Sequence, residues 1–370
     1  MQVTIVGAGI AGSATAIGLS ALGHQVTVCE AGPAVATGGS FISLATNALR
    51  ALDVLGVPEL PVGFPVARQR MWTASGRLLG DVARGRRASD PTLSITAPRA
   101  GLVNALRDRC RAAGATIWPG SRVAGLSDDL LGVRLADETI LESDLIVAAD
   151  GLRSPIRAAL DPASAEPVYA GLYTVAGTSA LDLPRDSARD SAFNMTICRN
   201  GAFIHLRAPD GAIWWQAQIN GALAALDVSE AFADAAVPSA IIAAATSVDR
   251  PQPHHLLDPA PSVWTSSRVA LLGDALHPIG AGQGAAMALE DAAALTGAVR
   301  GASTVEAALA VYEAVRRPRI AKVLRTADDN RNLKAAGSLS RTLQGLIMPL
   351  VLRHGYERAT GWLYDYEPAV

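Results

Sequence analysis

The segment Gly7-Ala8-Gly9-Ile10-Ala11-Gly12 lies between a short β-branched run, Gln2 to Val6, and a small-residue stretch with helical character, Ala11 to Leu22. The order of apolar strand, glycine turn and helix is what makes this pattern informative. Gly7 permits a tight turn, Gly9 lets the backbone approach a pyrophosphate, and Gly12 lets the helix pack close to the strand, while the helix N-terminus favours phosphate charge. Gln25 to Glu30 reads as a second strand, so the chain opens as a βαβ unit. Glu30, at the end of that strand, can accept hydrogen bonds from the ribose hydroxyls of an adenine dinucleotide, and its charge disfavours a 2′-phosphate there. A turn rich in glycine only for close packing is the plainer alternative, and the position of Glu30 argues against it.

Further along, Pro98 to Ala113 has helical spacing through Leu102, Val103, Leu106 and Cys110, and strands within Ala115 to Leu126, Gly132 to Leu135 and Leu145 to Ala149 complement the opening unit. Between about Val168 and Asn220 the pattern changes. Phe193 to Arg199, Ala202 to Ala208 and Ala212 to Asn220 are joined by Asn200-Gly201 and Asp210-Gly211, which supply the positive φ of two-residue hairpins. This stretch reads as an antiparallel meander. Arg268 to Leu272 is again a buried strand, followed by a glycine-rich turn, a helix over Gly284 to Val299, and helical segments over Val305 to Leu333 and Ser338 to Trp362.

At 370 residues the chain is long enough for two packed lobes. With 32 Lys plus Arg against 34 Asp plus Glu it carries no field that would draw nucleic acid or an anionic membrane surface. The three cysteines, Cys29, Cys110 and Cys198, lack metal-ligand spacing and are odd in number, which argues against a disulfide framework. No export signal is recognisable, so a cytoplasmic location is expected. The longest apolar runs are interrupted by Asp274, His277 and the Glu290-Asp291 pair, so none should span a bilayer. Leu343 to Leu352 forms an apolar helical face expected to pack on the protein body. His254-His255 follows Pro-x-Pro and reads as a loop, and no metal site is expected.

Two more polar turns follow buried strands, where α/β sheets bind ligands. One is Asp150-Gly151-Leu152-Arg153-Ser154-Pro155-Ile156-Arg157; the other is Gly273-Asp274-Ala275-Leu276-His277-Pro278, leading into Gly282-Gln283-Gly284. Asp274 is suited to a polyol hydroxyl. With the opening turn, these motifs in this order resemble the class A flavoprotein monooxygenases, which include para-hydroxybenzoate and salicylate hydroxylases, over nearly the whole chain. Gly39 to Leu44 with Thr46-Asn47-Ala48-Leu49 resembles the stretch lining the isoalloxazine ring, Arg99 with Leu102 and Leu106 resembles the Arg-x-x-Leu-x-x-x-Leu helix beside the flavin, and Trp362 to Tyr366 resembles the family's tail. In departure from many relatives, Ala31 replaces a basic residue, Ala286 replaces an asparagine, and the connection Pro278 to Ala281 is short.

The resemblance implies an α/β fold: a Rossmann-like FAD-binding lobe of the GR2 type, an inserted, mostly antiparallel substrate lobe and C-terminal helices. The implied boundaries are 1–65, 99–165 and 263–330 for the FAD-binding domain, 66–98 and 166–262 for the substrate domain, and 331–370 for a helical segment packed on the first. FAD contacts are expected at Gly7, Gly9, Ala11, Gly12, Glu30, Ala31, Arg99, Val123, Asp150, Asp274, Gly284, Ala285 and Ala286. Substrate residues are expected on the meander, where alternation puts Phe203 and His205 on one strand face and separates Trp215 from Gln216; either set can line a pocket. Phe203, His205, Trp215 and Gln216 are the candidates, with His205 as a base for a phenol.

A family member takes hydride from NADH or NADPH onto FAD and hydroxylates a small aromatic, phenolic or polycyclic compound with O2 through a flavin C4a-hydroperoxide. The protein would be a monomer or homodimer without nucleic acid or stable membrane partners. The alternatives are a related flavin dehydrogenase or reductase without oxygen transfer, and a non-catalytic flavin-dependent binding protein.

Overall fold

The computed structural model of the chain describes residues 1–164, 166–182, 192–279, 282–334, 349, 352 and 355–368. Its first sheet contains β1 (Gln2–Val6), β2 (Gln25–Glu30), β8 (Thr116–Pro119), β12 (Leu145–Ala148), β19 (Thr265–Ser266) and β20 (Val269–Leu271). Their order is β19-β20-β12-β1-β2-β8, with every pair parallel except β19-β20. Such a sheet must be covered on both faces, and its strands are near-continuous apolar runs for that reason. Ile5, Val28, Val147 and Ala270 pack against α1 (Ile10–Ala21), α2 (Thr46–Val54), α3 (Arg99–Ala112) and α7 (Gly284–Gly301). Val6, Cys29, Ile146 and Leu271 face a small sheet of β9 (Val123–Leu126), β10 (Gly132–Leu135) and β11 (Ile140–Glu142), together with α8 (Val305–Lys334). Small residues let α1 and α7 approach closely: a Cβ on Gly18 would lie 2.3 Å from Thr296 Oγ1.

The second large sheet has eight strands: β5 (Arg68–Thr73), β6 (Leu78–Ala83), β13 (Pro167–Ser179), β14 (Ala192–Cys198), β15 (Gly201–Arg207), β16 (Ile213–Asn220), β17 (Ala245–Val248) and β18 (Gln252–Leu257). All its pairings are antiparallel apart from β14 with β5. The hairpins fall at Asn200-Gly201 and Asp210-Gly211, where Gly201 and Gly211 have φ of 153° and 90°. Short helices α5 (Val228–Ala231) and α6 (Ala236–Ala243) cover one face through Phe232 and Ile241. The other face meets a three-stranded sheet of β3 (Phe41–Leu44), β4 (Phe64–Val66) and β7 (Ser94–Pro98) through Phe41, Phe64 and Val66. The architecture is the expected α/β fold with a mostly antiparallel second sheet.

Two helices complete it, α4 (Pro155–Leu160), capped by Ser154, and α9 (Tyr356–Tyr364). Arg319 donates to the Trp362 and Leu363 carbonyls, and Thr46 and Arg50 donate to the Tyr364 carbonyl, fixing α9 against α2 and α8. The apolar face expected over Leu343 to Leu352 lies outside the described residues except at 349 and 352, where Leu352 packs on Met71 and Leu79. No described helix is long and apolar enough to cross a membrane. Among the described residues no His, Cys, Asp and Glu group is arranged to hold a metal.

Candidate active site

Three turns converge at the carboxyl ends of three adjacent parallel strands, β1, β12 and β20, the edge at which open α/β sheets bind ligands. At the end of β1, Gly7 has φ 94° and its N–H donates to the Cys29 carbonyl. A Cβ on Gly7 would lie 2.4 Å from the Ala149 carbonyl oxygen, and one on Gly12 only 1.8 Å from the Gly7 carbonyl oxygen. Gly9, the N-cap of α1, is different: a Cβ there meets no protein atom within 4 Å. The opening turn is therefore closed on itself at Gly7 and Gly12 and open at Gly9. Gly273, with φ 58°, would place a Cβ 3.1 Å from that of Ala11, so the third turn abuts the first.

Glu30 is held at both oxygens. Oε2 accepts from Ala8 N at 2.7 Å and Oε1 from Gly32 N at 2.7 Å, while Arg107 Nη2 lies 3.1 Å from Oε2. Ala31 is exposed and supplies no charge. At the end of β12, burial raises the Asp150 carboxyl to about 6 against the opposing influence of Ser154 and Arg157, and neither carboxylate oxygen meets a partner at hydrogen-bonding distance and angle. Asp274, beyond β20, is exposed, yet the protein packed around it raises its carboxyl above the usual range against the pull of His277 and Arg99. A Cβ on Gly284, at the start of α7 with Ala285 and Ala286, would lie 3.8 Å from Asp274 Oδ1. Arg99 begins α3, its N–H donates to the Ser40 carbonyl, and its Cδ is 3.4 Å from where a Gly39 Cβ would be. Val123 is an apolar strand residue packed with Val6 and Cys29 beneath the site.

Below these turns lies a buried ionic network that the sequence alone did not reveal. Asp291 accepts from Gly273 N, His277 Nε2 and Arg316 Nε at 3.0, 2.6 and 2.8 Å. Glu290 accepts from Asn47, Arg316 and Arg319 at 2.7, 2.8 and 2.8 Å. Burial pushes the Asp291 carboxyl up, but His277 and Arg316 outweigh it and hold it at about 2. The signal available in sequence was the Glu290-Asp291 pair inside an otherwise apolar helix, which demands buried cations.

Residues 1–327 match the family described as FAD binding domain. The chain belongs to that family. It is 30% identical over 342 residues to the aurachin C monooxygenase/isomerase of Stigmatella aurantiaca, covering 85% of each chain. It is likewise 30% identical to the 6-hydroxynicotinate 3-monooxygenase of Pseudomonas fluorescens, covering 90% of this chain and 92% of that one. In fold it matches Klebsiella pneumoniae HpxO crystallised with FAD and uric acid, with a TM-score of 0.82, 24% identity and coverage of 99% and 96%. A salicylate hydroxylase substrate complex gives a TM-score of 0.79 at 24% identity, covering 99% and 95%. The protein is thus an FAD-binding member of the class A flavin aromatic hydroxylases, a family of oxidoreductases. Its own turns fit such a cofactor: Gly9 leaves room for a phosphate, Asp150 has buried oxygens without partners, and Asp274 is exposed beside the start of α7.

In this flavoprotein the four candidate substrate residues divide between the two faces of the sheet, as their alternation in sequence requires. Gln216 Nε2 donates to Ser40 Oγ at 2.6 Å and to the Phe41 carbonyl at 2.5 Å, so its face meets the strand beside Arg99. Trp214, on the same face, stacks on Phe41 at 6.0 Å. Phe203, His205 and Trp215 point the opposite way. Phe203 stacks on Trp215 at 5.7 Å and meets Phe232, and Trp215 Nε1 donates to Ser179 Oγ. His205 pairs in register with Trp215 and is 4% exposed on the face away from Gln216, where it lines a small cavity with Trp72, Thr196 and Val237. His254-His255 is corrected from loop to strand: both lie on β18, where Pro253 is tolerated because, among the described residues, the strand pairs only with β13.

Proposed function

We propose that this flavoprotein is a monooxygenase converting an aromatic C–H to C–OH, with O2 and NAD(P)H consumed and water and NAD(P)+ formed. Bound FAD would supply hydride acceptance and oxygen activation. The residues proposed to form its site are Gly9 and Ala11 at the pyrophosphate with Gly7 and Gly12 shaping the turn, Glu30 at the ribose, Asp150 and Asp274 along the chain between the rings, and Arg99 with Gly284, Ala285 and Ala286 around the flavin. Ala31 and Val123 contribute backbone and packing. The first sheet and its helices would form the FAD domain, and the eight-stranded sheet the substrate domain.

The observation that carries this reading is the Gln216 bridge to Ser40 and Phe41, which lays the sheet against the strand next to Arg99. A cleft roofed by a sheet excludes water from a reactive centre. Trp214 lies 6.0 Å from Phe41 and 5.4 Å from Phe64, centroid to centroid, in an aromatic group beside Gln216 that suits a flat ring. The monooxygenase relatives support the oxygen-transfer step. The test is oxidation of NAD(P)H by a panel of phenols and hydroxylated N-heterocycles under 18O2. One labelled oxygen per product molecule is the expected result; substrate-stimulated oxidation that releases only hydrogen peroxide, with no labelled product, would instead identify an oxidase or reductase.

A further inference from the structure

We propose that Arg107 is the positioning residue for the adenosine end of the FAD site. This rests on the chain's membership of the FAD-binding family and not on the identity of the reaction. Arg107 comes from α3, is 5% exposed, and reaches three separate segments with one guanidinium. Its Nε donates to the Ala8 carbonyl at 2.8 Å, its Nη1 to the Pro33 and Ala34 carbonyls at 2.9 and 3.2 Å, and its Nη2 lies 3.1 Å from Glu30 Oε2. Ala31, next to Glu30, has no polar side chain to do this.

The consequence for the glycine turn follows from peptide geometry. A trans peptide points its C=O and N–H in opposite directions. With the Ala8 carbonyl drawn toward Arg107, and also reached by Ser13 Oγ at 3.3 Å, the Gly9 N–H is turned away from Arg107. Ala8 is fixed from its other side as well, since its own N–H donates to Glu30 at 2.7 Å. Gly9 is the position where the turn is open, with nothing within 4 Å of a Cβ. Arg107 therefore sets the donor direction at the turn and the carboxylate orientation at Glu30 together. Its planar, multi-donor fork suits this task, and a lysine point charge does not.

The experiment measures FAD affinity by flavin fluorescence and ADP affinity by calorimetry after FAD removal, for Arg107→Met and Arg107→Lys. ADP carries the adenosine end without the flavin. Arg107→Met is expected to weaken both ligands at least 30-fold, and Arg107→Lys by about 5- to 10-fold. Should Arg107→Met fail to fold, Arg107→Lys, which keeps the charge, carries the test. Affinities for FAD and ADP within 3-fold of wild type overturn the proposal; so does weakened FAD with unchanged ADP, which would put the effect at the flavin end. Absence of NAD(P)H oxidation in every variant, wild type included, would count against the proposed reaction while leaving these affinities readable.

Discussion

Arg316→Met is expected to lower the free energy of unfolding by about 3 kcal/mol, the low end of the cost of removing one partner from a buried ion pair. Arg316, Glu290 and Asp291 are all fully buried, so water cannot replace the lost contacts. The cost stays at the low end because Arg319 still reaches Glu290 and His277 still reaches Asp291. Urea unfolding followed by circular dichroism reads the change, and a loss below about 1 kcal/mol would mean that the network contributes little. The same cluster predicts a pH dependence. An unperturbed aspartate titrates near 3.9, and Asp291 is held at about 2. Its folded value lies below its unfolded one, so its contribution is fully present above about pH 4 and is lost as the pH falls toward 2. In Arg316→Met the acid limb should begin at higher pH, because the carboxylate has lost its guanidinium.

The second large effect separates two glycines of one turn. Gly9→Ala should leave the apoprotein's melting temperature within about 2 °C of wild type, since the new methyl meets no protein atom within 4 Å. FAD affinity should nevertheless fall by about 100-fold, close to 3 kcal/mol, because that methyl occupies the approach to the pyrophosphate. Gly12→Ala should do the reverse in kind, since a Cβ 1.8 Å from the Gly7 carbonyl forces α1 off β1 and lowers stability before any ligand is considered. Equal stability losses in the two variants would contradict the assignment of Gly9 to ligand and Gly12 to packing.

The glycine turn, Glu30 and the two later turns were legible in sequence because each is a local pattern with a required backbone geometry. The cleft face of the meander was not. β15 and β16 are packed on both sides, by α5 and α6 behind and by β3 in front, so polarity does not reveal which alternate row meets the cleft. Trp214 and Trp215 are adjacent and both packed, and nothing in sequence says to which side of the sheet His205 turns. Arg107 was hidden differently. It lies in one helix with Arg99, Arg109 and Arg111, and only the return of the chain at Pro33 and Ala34 picks it out. The Glu290-Asp291 pair was visible, but its cations come from α8, a partner fixed only by the tertiary fold.

The two-residue period of β16 also bears on how the protein could acquire new substrates. Ile213, Trp215, Ala217 and Ile219 are locked into the interior behind the sheet, while Trp214 and Gln216 look toward the cleft. On the proposed reading, exchanges at the even-numbered positions can alter what is accepted without disturbing the row that keeps the sheet folded. Laboratory evolution of substrate range should therefore accumulate changes at 214 and 216 and leave 213, 215 and 217 untouched.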